Sequence, residues 1–90
     1  MFKFKRSIPV SYEKQGYIYF VGRNYKNLPK DKRQQVKDLC LKTGGEYHAA
    51  LFELLTTDTT VAKICLKYAV SEATLLRVAR RYFIEFAKVL

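Results

Sequence analysis

Tryptophan is absent from the 90 residues, and cysteine, proline, glycine, methionine and histidine are scarce, at two, two, four, one and one. Each scarcity excludes something. The two cysteines, Cys40 and Cys65, lie far apart with no CxxC pair and no neighbouring histidine, so no zinc cluster is expected of them, and a disulfide between them would need an oxidising compartment. Both fall on apolar helix faces and read as small buried hydrophobes. His48 has no Cys, Asp or Glu partner at metal-ligand spacing, and no Ser/His/Asp set, paired-carboxylate motif or glycine-rich phosphate loop occurs. An enzyme is therefore not expected, and no cofactor, metal or small-molecule ligand is called for. No apolar run approaches the roughly 20 residues that span a bilayer. The first residues, Met1-Phe2-Lys3-Phe4-Lys5-Arg6, alternate charge with aromatics instead of building a secretory leader. A cytoplasmic protein without a membrane partner is the expectation.

Acids are few as well: eight Asp and Glu stand against 17 Lys and Arg, a formal net charge of +9. A field of that size favours phosphate backbones, anionic membranes or an acidic protein. Its source is uneven, because residues 1–38 hold ten basic and three acidic side chains while residues 39–90 hold seven and five. Hydrophobic residues reach 49% and aromatic ones 14%, enough to pack a core. The length suits one small domain over residues 1–90.

The sequence pattern predicts an α+β fold, mainly α, with an N-terminal β-hairpin packed on a four-helix domain. Residues 1–22 read as strand: Phe2 and Phe4 alternate with lysines, and Ile8, Val10 and Tyr12 with Pro9 and Ser11. Glu13-Lys14-Gln15-Gly16 offers a turn, and Tyr17-Ile18-Tyr19-Phe20-Val21 is rich in β-formers, so residues 8–12 would pair with 17–21. Pro9 marks the first of these as an edge. From residue 28 the period becomes helical. Leu28-Pro29 opens a helix carrying Val36, Leu39, Cys40 and Thr43, with Lys30, Lys32, Arg33 and Lys37 decorating its surface, and Gly44-Gly45 stops it. A second helix covers about Glu46 to Leu55. A third, capped by Asp58, runs from about Thr59 to Tyr68, and Ser71 caps a last one from Glu72 to about Val89. That last helix bears Leu75, Val78, Tyr82, Phe83, Phe86 and Leu90 on one stripe.

Within this stretch, Val61-Ala62-Lys63-Ile64-Cys65-Leu66-Lys67-Tyr68-Ala69-Val70-Ser71-Glu72-Ala73-Thr74-Leu75-Leu76-Arg77-Val78-Ala79-Arg80 resembles a helix-turn-helix DNA-binding unit of the resolvase, transposase and small-repressor kind. The resemblance spans about residues 59–81. Ile64 and Tyr68 would anchor the first helix, Cys65 would let the second cross closely, Val70 would plug the corner, and Leu75 and Val78 would face the core. The family usually places Gly in the turn where this chain has Ala69; at positive φ, Ala costs on the order of 1 kcal/mol.

The resemblance implies that the last helix enters a major groove of double-stranded DNA. Ser71, Glu72, Ala73, Thr74 and Arg77 are its candidate base-reading residues. Arg77 is the best placed to reach base edges, and Glu72 is read chiefly as favourable at a helix N-terminus. Lys63, Lys67, Arg80 and Arg81 are candidate phosphate contacts. In the hairpin, Lys3, Lys5 and Arg6, with Lys14 and Arg23 among Tyr12, Tyr17 and Tyr19, suggest a wing or arm on the backbone or a single-strand stacking surface. The leading functional expectation is a small transcriptional regulator acting by site occupancy. Alternatives are an accessory factor for recombination, excision or plasmid transfer, a basic interaction module or inhibitor of the kind mobile genetic elements make, and RNA binding through the hairpin. The long apolar stripe of the last helix also favours a homodimer through that helix.

Overall fold

The computed structural model describes residues 8–90, and all of its regular elements are helical. Five α-helices follow one another: α1 Tyr12–Arg23, α2 Lys30–Gly44, α3 His48–Thr56, α4 Val61–Tyr68 and α5 Glu72–Ala87. Single 3-10 turns at Tyr25–Asn27 and Gly45–Tyr47 lead into α2 and α3. The four helices read between residues 28 and 90 correspond to α2 through α5.

The expected β-hairpin does not form, and this corrects the α+β reading to an all-helical one. Ile8, Pro9 and Val10 are irregular, and Tyr12 to Arg23 is one continuous helix. Three local features drive it. Ser11 caps the N-terminus by accepting from the Lys14 backbone N–H at 3.3 Å, and Glu13 sits favourably in the first turn. The buried positions are Gln15, Ile18 and Gly22, a helical spacing that a strand would split between two faces. Burying Ile18 contributes about 1.5–3 kcal/mol, more than the roughly 1 kcal/mol span of β-propensity in its neighbours.

Gly16, read as a turn residue, lies inside α1. The glycine that matters is Gly22, where a Cβ would stand 2.7 Å from the Leu55 carbonyl oxygen, so α1 approaches the end of α3 backbone to backbone. Fully buried Gln15 donates from Nε2 to the carbonyls of Ile8 at 3.3 Å and Val10 at 3.1 Å. A buried amide thus satisfies the irregular lead-in that was expected to be an edge strand.

One hydrophobic cluster draws on every helix: Ile18 from α1, Val36, Leu39 and Cys40 from α2, Ala50, Leu51 and Leu55 from α3, Ile64 from α4, and Leu75, Val78, Tyr82 and Phe86 from α5. Helix α5 packs most extensively along α2 and also against α1, where Phe86 meets Tyr17 edge to face at 6.5 Å. Cys40 is 2% exposed, and burial pushes its thiol up to about 12. Cys65 is only half-buried, which departs from the expectation that both thiols lie inside.

The apolar stripe of α5 is largely consumed within the chain. Tyr82 and Phe86 are buried, while Val89 and Leu90 at its end stay exposed. The feature that favoured a dimer is thereby mostly satisfied by α1 and α2. Among the described residues no helix is long and apolar enough to cross a membrane.

Candidate nucleic-acid interface

The corner between α4 and α5 is three residues long. Helix α4 starts at Thr60, whose hydroxyl accepts from the Lys63 N–H at 3.3 Å, so Thr60 takes the capping place expected of Asp58. It ends at Ala69, which adopts a left-handed conformation, φ 53° and ψ 45°. The N–H groups of Ala69 and Val70 both return to the Cys65 carbonyl, the latter at 3.1 Å, closing the helix end in the manner of an αL cap. Val70 then turns inward and is 8% exposed. Ala69 thus bears the positive φ for which glycine is better suited, a cost of about 1–2 kcal/mol that the cap bonds and the burial of Val70 offset.

Ser71 caps α5. Its Oγ accepts from the Thr74 N–H at 3.1 Å and donates to the Thr74 hydroxyl at 2.9 Å. Leu75 and Val78 face the core, which leaves Glu72, Ala73, Leu76, Arg77, Arg80 and Arg81 exposed. Of the five candidate base-reading residues, Glu72, Ala73 and Arg77 therefore lie on an open face. Ser71 is exposed but engaged in the cap, and Thr74 is half-buried and tied to it. Among the described residues Arg77 and Arg81 have no ion-pair partner.

The basic residues of α4 divide. Lys63 is exposed and open to solvent. Lys67 is committed within the chain: its Nζ lies 2.9 Å from Glu53 Oε1 on α3, and the Tyr68 hydroxyl donates to the same oxygen at 2.9 Å. The ammonium of Lys67 and, after it, the Tyr68 hydroxyl hold the Glu53 carboxyl below the usual glutamate range. Sequence reading missed Glu53, because nothing in the local pattern tells that residues 14 apart will meet. Glu85 near the end of α5 plays a similar part, 3.2 Å from Lys42 Nζ and 2.8 Å from Lys88 Nζ.

The expected basic and aromatic hairpin surface is absent from the described residues. Lys14 is exposed on α1, but Arg23 is turned to Asp58 and to the Tyr19 hydroxyl. Tyr12, Tyr17 and Tyr19 lie on the same helix instead of a strand. Lys3, Lys5 and Arg6 lie outside the described residues. No group of three or more His, Cys, Asp or Glu suited to a metal ion occurs among the described residues. Comparison with protein-family models, with curated proteins and with solved structures finds no match.

Proposed function

We propose that the chain is a sequence-reading, double-stranded-DNA-binding protein of helix-turn-helix type, acting as a small transcriptional regulator by occupying its site. The observation that carries this reading is Arg77 on the open face of α5, directly behind a sharp corner whose inward plug is Val70. A helix held outward by such a corner is the part that enters a major groove. Glu72, Ala73 and Arg77 face the bases, Ala73 being small enough to approach a thymine methyl and Arg77 long enough to take guanine in a bidentate contact. Lys63, Arg80 and Arg81 meet phosphates. Lys67 does so only by leaving Glu53.

Selection from a random duplex library, followed by titration of the winning site across salt concentrations, tests the reading. The wild type is expected to show one preferred sequence and a log–log salt slope of about −0.9 per phosphate neutralised. Arg77→Ala should weaken discrimination at one base position by about 1–3 kcal/mol while changing the slope by no more than about one contact. Wild type that binds no member of the pool would favour the basic interaction module instead, its basic face meeting an acidic partner.

A further inference from the structure

We propose that the polyanion path does not end at α4 but continues onto α2, where Lys30, Arg33 and Lys37 form a second phosphate-binding stripe; this rests on the DNA-binding reading above. The three side chains recur at helical spacing on one flank of α2, and Leu41 follows them on the same line. The acids of α2 are kept off that flank. Asp31 and Asp38 lie on the opposite one, beside a depression that they share with Lys42 and Val89. Among the described residues Lys30, Arg33 and Lys37 make no ion pair, whereas Lys42, on the acidic flank, is paired to Glu85. Both acids of α2 therefore lie off this flank, as Lys32 and Lys42 also do, and its three cations are uncompensated.

That flank borders α3 and the end of α4. A groove of about 560 Å³ runs beside it, with Lys37 and Leu41 on one lip and Phe52, Glu53 and Tyr68 on the other. Glu53 is the residue that holds Lys67, so a cation stands at each lip. Tyr68 is the last residue of α4, separated from the start of α5 by three residues. Cations thus stand on both sides of the groove, Lys67 beyond Glu53 on one and Lys37, with Arg33 and Lys30 on the same flank of α2, on the other. From Lys30 to Lys37 the helix rises about 10 Å, comparable to about three base-pair rises of ~3.4 Å along the duplex axis. A flexible ammonium or guanidinium at each step makes contacts that position the duplex without reading its sequence.

The test compares the wild type with Lys30→Ala/Arg33→Ala/Lys37→Ala on the selected duplex, with Lys30→Gln/Lys37→Gln as a second variant confined to exposed positions. Circular dichroism melts first verify that the variants fold. The triple variant is expected to lower the magnitude of the salt slope by about 2–3 and the double by about 2, at about 0.9 per lost phosphate contact, with the preferred sequence unchanged. A slope unaltered in folded variants, while the wild type binds its duplex, overturns the stripe and leaves the α5 reading standing. A lowered slope in these variants, combined with unaltered base preference in Arg77→Ala, sustains the stripe and overturns α5 as the reading helix. Wild type that ignores duplex DNA but binds acidic vesicles or an acidic protein overturns both.

Discussion

The chain turns sharply at two places with almost the same φ, and the two are built from different residues. Gly45, between α2 and α3, has φ 54° and ψ −125°; Ala69, between α4 and α5, has φ 53° and ψ 45°. At Gly45 nothing lies within 4 Å of where a Cβ would stand, so room does not explain the glycine. The backbone does, since that combination of angles is closed to residues with a side chain. Ala69 occupies the small left-handed well that an L-residue enters at modest cost. The first corner needs its glycine for conformation alone. The second carries strain in exchange for a residue pair, Ala69-Val70, that can close a helix and insert a plug within two positions.

The contrast breaks most readily at Gly45. Gly45→Val is expected to destabilise by about 2–3 kcal/mol, read from a urea melt, because a β-branched residue is forced into a region essentially reserved for glycine. A loss below half that would put both corners in one steric class. Next in size, Val70→Ala removes two buried carbons at about 0.8 kcal/mol each and should cost about 1.5 kcal/mol. If the proposed duplex binding holds, it should also weaken that binding as the corner loosens.

Ala69→Gly sharpens the comparison from the other side. It should stabilise by at most about 1 kcal/mol, since relief of the left-handed strain is partly offset by the greater freedom of glycine in the unfolded chain. The smallest effect is a pH dependence near the second corner. Glu53 has its carboxyl held below the usual range by Lys67 and Tyr68, so its contribution is present at neutral pH and is lost as the pH falls through its folded-state value. Thermal melts of Glu53→Gln should therefore lie slightly below wild type at pH 7 and converge with it in acid.

The corners were also where the sequence was easiest to read. Gly44-Gly45 announced a stop, and Ser71 with Thr74 announced a start, because caps are local chemistry that two or three residues settle. The segment Tyr12–Arg23 was misread for the opposite reason. Tyr12, Tyr17 and Phe20 are 61%, 47% and 57% exposed, so aromatic residues lie on both sides of α1 and hide its period. On its inward face Ile18 is flanked by a glutamine and a glycine, Gln15 and Gly22, which no apolar pattern would select.

On the candidate site, exposure of Glu72, Ala73 and Arg77 followed from the helical period alone. The capture of Lys67 by Glu53 did not, since it depends on how α3 and α4 pack. The cation sorting on α2 was within reach: Lys30, Arg33 and Lys37 stand at i, i+3 and i+7, with Asp31 and Asp38 out of phase.

The unequal burial of the two thiols gives this tryptophan-free chain a built-in clock. An alkylating reagent can meet the half-buried Cys65 in the folded protein, but it meets Cys40, 2% exposed, only when the packing around it opens. With its thiolate disfavoured by burial, Cys40 is inert until that moment. Once released it reacts as an ordinary cysteine. The slow phase of labelling therefore measures how often the packing around Cys40 opens, and the fast phase measures the reach of the reagent to Cys65 in the folded protein.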